Sequence, residues 1–121
     1  MASADKAAGP SREEEVEITY VKSRDGKKRT IPVWFTLNEG KMELVPMYGV
    51  KTKWFNDVEK SGFIELRVKD WKKGATPKIV REPATLMQIR RRFMEKYGAD
   101  EVNRYYRVPT DEQVALEILL V

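Results

Sequence analysis

A chain of 121 residues without cysteine or histidine has room for one core. It excludes disulfides, thiolate zinc sites, cysteine nucleophiles and serine–histidine–aspartate triads. Its 23 Lys and Arg against 19 Asp and Glu leave a net charge of +4. This mild, well-mixed excess favours a phosphate-bearing ligand, nucleic acid or an acidic surface only weakly. No apolar run approaches the roughly 20 residues of a membrane span, and with no histidine to act as a base, difficult chemistry would fall to a cofactor.

Residues 1–15 are small, polar and charged, and are expected to form a disordered or weakly attached tail before a single domain over 16–121. Met1 to Arg12 has no apolar stretch of the signal-peptide kind, so a cytoplasmic protein is the expectation. Val16 to Val21 is β-branched and aromatic and reads as a strand. Asp25-Gly26 centres a hairpin turn over Ser23 to Lys28, and Arg29 to Leu37 returns as a second strand. Pro32 cannot donate to a ladder and places that strand at an edge or bulge. Asn38-Glu39-Gly40 is a further turn, and Lys41 to Met47 a third strand.

The pattern then changes. Thr52 is suited to cap a short helix over Lys53 to Lys60, with Trp54, Phe55 and Val58 on its apolar face and Gly62 just past its end. Phe63 to Val68 alternates as a strand, Asp70 to Gly74 reads as a turn, and Thr76 to Arg81 as a fifth strand. Pro83 fits the first turn of a helix whose stripe is Leu86, Ile89, Phe93 and Tyr97, ended by Gly98. Asp100 to Tyr106 suits a further helical turn, and Val114 to Val121 a buried final strand. The order β-β-β-α-β-β-α-β lacks βαβ alternation. It favours a mainly β fold with helices: a closed or partly open barrel of about six antiparallel strands with two helices.

Four groups of residues could carry chemistry. The turn from Ser23 to Arg29 surrounds a glycine with cations, Arg24 and Arg29 among them, and could grip an anion or be a plain solvated tip. The run Tyr48-Gly49-Val50-Lys51-Thr52-Lys53-Trp54 joins a strand end, a glycine and a helix start. Lysines at a helix's positive end are unfavourable unless an anion sits there. Trp34, Phe35, Tyr48 and Trp54 could line a slot for a planar ring or simply pack in the core. Trp34 and Phe35, adjacent on a strand, face opposite sides, and either could be the inward one. Arg90-Arg91-Arg92 with Lys96 and Arg104 could contact nucleic acid, but is more simply a solvated face or subunit contact.

The stretch from Ile18 to Lys60 resembles the deazaflavin-dependent nitroreductases within the pyridoxamine-phosphate-oxidase-like split barrels. The matching runs are Ser23-Arg24-Asp25-Gly26-Lys27-Lys28-Arg29-Thr30-Ile31-Pro32-Val33-Trp34-Phe35 and Tyr48-Gly49-Val50-Lys51-Thr52-Lys53-Trp54. Asp25 stands where that family has a loop serine. The resemblance implies a split β-barrel binding flavin mononucleotide (FMN) or coenzyme F-420. Arg24 and Arg29 would hold phosphate or the acidic tail, and Gly49, Lys51 and Thr52 would meet phosphate at the helix start. Trp34 and Tyr48, with Trp54 beside them, would lie along the ring. It also implies hydride transfer to a small organic acceptor and a homodimer. Two other readings compete: a basic nucleic-acid-binding barrel, which the scattered cations and many acids make the weaker, and a split barrel that serves as an interaction module without cofactor.

Overall fold

The protein was analysed as a computed structural model that describes residues 14–120; the expected tail falls almost wholly outside them. Among these residues seven strands form one curled antiparallel sheet in the order β5-β4-β1-β2-β3-β7-β6, a split barrel with three α-helices. β1 (Glu15–Val21) forms because Val16, Ile18 and Tyr20 supply one buried face while Glu15 and Glu17 stay exposed. A tight turn leads into β2 (Lys28–Asn38), whose first half pairs with β1 and whose last four residues pair with β3 (Lys41–Leu44). β3 is shorter than the expected strand to Met47.

Helix α1 (Lys53–Ser61) turns Trp54, Phe55 and Val58 into the barrel. It ends where Gly62 takes a left-handed φ of 73° and donates its N–H to Val58 C=O at 2.7 Å, as expected of a glycine just past a helix. β4 (Ile64–Val68) and β5 (Trp71–Ala75) form a hairpin with Val68 opposite Trp71. The expected turn over Asp70 to Gly74 is therefore only two residues long, because Lys69 adopts a φ of 52° and reverses the chain at once. β6 (Lys78–Val80) leads into helix α2 (Pro83–Tyr97) and helix α3 (Ala99–Tyr105), and β7 (Ala115–Leu119) enters the sheet between β3 and β6.

Two cores share the sheet. The barrel interior gathers Val16, Ile18, Tyr20, Phe35, Met42, Leu44, Ile64, Leu66, Leu116 and Ile118 around the apolar face of α1. On the outer face of the β2–β3–β7–β6 half, Val80 and Ala115 pack with Ile89 and Phe93 of α2, Val102 of α3, and Tyr106. A half-sheet covered on both sides explains why residues 114–120 are apolar except at Glu117, with Ala115 and Leu116 both buried, whereas β1 and β4 alternate.

One charged pair pins the outer layer. Glu43 of β3 is fully buried and receives Arg92 of α2 through two bonds, Nε to Oε1 at 2.8 Å and Nη2 to Oε2 at 2.6 Å. Thr36 Oγ1 donates to Oε1 at 2.6 Å. Such a fork-to-carboxylate contact fixes the helix in both translation and rotation.

Replacing Arg92 by Leu strands the Glu43 carboxylate and is expected to cost about 3–5 kcal/mol of stability in urea unfolding. The double replacement Glu43→Leu with Arg92→Leu should recover most of that loss.

Candidate functional site

A cavity of about 450 Å³ opens where the barrel is split. Its origin lies in β2. The N–H of Phe35 donates to the Tyr97 hydroxyl (3.0 Å), which also lies 2.6 Å from Glu14 C=O, just before β1. Phe35 thus points its backbone polar groups towards the β1 side, and by strand alternation Pro32 points the other way. β3 pairs only from Phe35 onward, so the second edge of β2 is open at Pro32, where a missing donor costs nothing. Pro32 is therefore an edge residue on a strand that lies centrally in the sheet.

Trp34, the outward neighbour of Phe35, builds the aromatic wall. Phe35 belongs to the barrel core and Trp34 to the outer layer, which settles which of the two faces inward. The Trp34 indole stacks on Tyr97 at 4.1 Å with planes 7° apart, lies 5.9 Å from Tyr106, and meets Tyr105 edge-on at 6.0 Å and 89°. One indole face is thus taken by Tyr97, and the remainder lines the cavity with Tyr48, Trp54, Tyr105 and Tyr106. Burial pushes the Tyr97 hydroxyl up to about 12 and raises Tyr106 as well. The single Tyr97 proton serves one carbonyl at a time. Its two candidate acceptors are Glu14 C=O and Phe35 C=O, the latter at 2.9 Å and also reached by Lys96 Nζ at 2.9 Å.

The start of α1 forms the opposite rim. Thr52 is the residue before the helix, but its hydroxyl does not cap it. Oγ1 instead accepts the N–H of Tyr48 at 2.9 Å and closes the loop on itself. The first turn of α1 has neither a side-chain cap nor an acidic residue, and its N–H groups begin beside the cavity that Thr52 and Trp54 line. That end carries partial positive charge. Gly49 is used differently from the sequence expectation. At a φ of +59°, a Cβ there would meet Glu112 O at 2.1 Å and Val108 Cγ1 at 2.7 Å, so the glycine admits the turn Thr110–Glu112. It does not line the cavity. Lys51, 74% exposed, reaches Glu112 at 3.4 Å.

Arg24 and Arg29 are exposed on the β1–β2 hairpin and its returning strand, outside the cavity lining. Asp25 stabilises the turn: its Oδ1 accepts Lys27 N–H at 3.0 Å, and Oδ2 lies 3.3 Å from Lys22 Nζ. The Lys27 N–H bond, first among several causes, holds this carboxyl below its usual value. Ser23 donates both N–H (3.1 Å) and hydroxyl (2.6 Å) to Asp57 of α1, anchoring the hairpin to the helix and lowering the Asp57 carboxyl. Of the Arg90–Arg92 run, Arg92 holds Glu43. Arg90 donates to Tyr106 C=O at 3.0 Å and Asn103 Oδ1 at 2.8 Å, joining α2 to α3. Two of the three arginines therefore act within the fold.

The cavity also takes residues that sequence reasoning passed over: Glu15, Ile31, Val33, Met47, Glu101, Tyr105 and Tyr106. The adjacent pair Tyr105-Tyr106 at a helix end was the available signal, and only its helical character was read. Among the described residues no group of three or more metal-ligating side chains forms, and no helix is long and apolar enough to cross a membrane.

No protein-family profile and no curated protein matches the chain. Solved structures do. An F-420-H2-dependent reductase superposes with a TM-score of 0.65 at 19% identity, covering 87% of this chain and 93% of that one. A pyridoxamine 5′-phosphate oxidase candidate from Listeria innocua gives a TM-score of 0.71 at 10% identity, covering 98% and 93%. The heme storage protein HutZ from Vibrio cholerae gives 0.68 at 10% identity, covering 89% and 82%. At these identities the likeness is one of fold, the split barrel.

Two outcomes follow from the site's construction. Gly49→Ala should lower stability by at least about 2 kcal/mol in thermal unfolding, from strain at positive φ plus collision with Glu112. The Tyr97 hydroxyl, raised in the fold, contributes stability that is present below pH 10 and lost as pH rises through about 12. In an alkaline titration of stability, Tyr97→Phe should make that fall shallower, Tyr20 and Tyr106 supplying what remains.

Proposed function

We propose that this protein binds a flavin-type redox cofactor, FMN or coenzyme F-420, and passes a hydride between it and a small organic acceptor. The observation that carries the reading is the pairing, on one cavity, of an aromatic wall with an uncapped helix start. A volume near 450 Å³ lies within the range of small-molecule sites. The residues fit such a group. Trp34, Tyr48, Trp54 and Tyr105 offer aromatic surface to a planar ring. The free N–H groups opening α1, with Lys51 and Lys53 beside them, offer a place for phosphate. Arg24 and Arg29 would meet a longer anionic tail from outside the cavity.

When bound, the cofactor supplies the hydride chemistry, which suits a chain with no histidine or cysteine. The chain's own part is to bind, orient and exclude water. The Tyr97–Trp34 stack holds the wall rigid. Thr52, by gripping Tyr48 N–H, holds the loop at the helix start in one conformation. Met47, Tyr48 and Tyr105 are 37%, 66% and 41% exposed along the cavity rim. That apolar rim favours a homodimer in which a second copy covers the opening.

Titration of the purified protein with FMN and with F-420 tests the reading. One of them should bind in the micromolar range or tighter. Arg24→Ala combined with Lys51→Ala, both at exposed positions, should weaken binding by about tenfold or more while leaving thermal stability unchanged. Failure of both cofactors to bind at high micromolar concentration would falsify the proposal.

A further inference from the structure

The cavity is electrically divided. Cations stand outside its lining, near the α1 start, along the hairpin, and at Lys96, whose Nζ lies 5.1 Å from the Tyr97 ring and donates to Phe35 C=O. Among the described lining residues the charged ones are Glu15 and Glu101, both carboxylates. Glu15 lies directly across the ladder from Trp34, so their side chains leave the sheet on the same face, with Cβ atoms about 5 Å apart. Glu101 sits one turn before Tyr105 on α3, and residues four apart share a helix face. Tyr105 in turn meets the Trp34 ring edge-on. Glu15, Trp34, Tyr105 and Glu101 therefore make one continuous wall, aromatic in the middle and negative at both ends.

We propose that this end of the cavity takes a flat organic cation, such as an aromatic ring carrying a quaternary nitrogen or a protonated amine. The assignment rests on the functional reading of the cavity above and adds the class of molecule it admits beside the cofactor. Two physical effects act together. Aromatic faces present negative potential to a cation, and the carboxylates add full charges in a partly enclosed space where screening is weaker than in bulk water. Arg104 approaches Glu101 at 3.8 Å, but both side chains are largely exposed, at 66% and 43%. Such a surface pair is weakly held, so a cation arriving from the cavity side can compete with Arg104 for the Glu101 carboxylate. The same field repels carboxylates and phosphates, which places the anionic part of a cofactor at the α1 end.

Three probes of nearly the same shape separate charge from ring size: 1-methylquinolinium, 1-methylnaphthalene and 1-naphthoate. Equilibrium dialysis against the cofactor-free protein should give binding of the cation about tenfold tighter than that of the neutral ring, with the anion weakest. Glu15→Gln with Glu101→Gln should remove most of the cation's advantage over the neutral probe, leaving only the share due to the aromatic faces, without changing the affinity of the neutral probe. Equal affinities for the three probes, an anion preference, or a cation preference surviving intact in the double variant would each overturn the assignment. The wild-type series decides by itself if the double variant does not fold. The cofactor titrations are a separate measurement. Cation selectivity without cofactor binding defeats only the cofactor reading, and cofactor binding without cation selectivity defeats only this one.

Discussion

The geometry of the candidate site depends on how β2 changes partners. A strand has two hydrogen-bonding edges, and β2 fills them unequally: β1 along its first half, β3 along its second. Had β3 continued beside β2 past Leu44, its backbone would lie along the edge of β2 at Pro32 and Trp34, beside which the cavity opens. Pro32 makes the open edge tolerable by removing a donor that would otherwise need a partner. Tyr97 repairs the ladder at the other end of the exchange. Its hydroxyl takes the place a β1 residue would hold opposite Phe35, linking Phe35, Glu14 and α2 at one point. Opening a sheet at a chosen place thus requires a non-donating residue at the gap and a side chain to finish the neighbouring pairing.

The wall of the cavity comes from the layer that Glu43 and Arg92 attach. A buried carboxylate in the middle of a sheet is a poor source of stability in itself, since desolvation offsets much of the attraction. Its value here is positional. With the guanidinium seated on Glu43, α2 has one register on the sheet, which puts Tyr97 against Trp34. Arg90, two residues earlier, then fixes α3 and Tyr106. The rigidity of the aromatic wall thus derives from two arginines that do not line the cavity it borders.

Much of this was legible in the sequence, for identifiable reasons. β1, β2, α1, β4, α2 and β7 carry strong periodicity or clear stop signals, such as Gly62 and Gly98. β5 was hidden because Trp71-Lys-Lys-Gly-Ala has little β character, and because its turn relies on a positive φ at Lys69, a residue that rarely adopts one. The alternation of Trp34 and Phe35 was readable, but not which one faced inward. That depends on α2 covering the outer face, a contact between residues some sixty positions apart. Gly49 is expected to meet phosphate at the helix start, yet what comes against it in the structure is the Thr110–Glu112 turn. Local sequence announces that a backbone must come near something, but not what that something is. Asp25, a departure when compared with a family pattern, is accounted for by the turn it stabilises. The carboxylates of the cavity could not be found locally, since Glu15 and Glu101 come together only through β1, α3 and the stack between them.

The place of β7 has a consequence for how the molecule comes into being. Residues 115–119 pair with β3 on one side and β6 on the other, so the last strand of the described chain is an interior one. Until those residues leave the ribosome, β3 and β6 are both raw edges, and Met42, Leu44 and Val80 lack the neighbour that shields them. The half of the sheet carrying α2 and α3 must therefore wait for late, long-range pairing, the slowest kind of step in folding. During that wait the nascent chain presents sticky strand borders to its surroundings. The β1–β2 and β4–β5 hairpins, whose partners are close in sequence, face no such delay. The aromatic wall should accordingly be among the last parts of the protein to take shape.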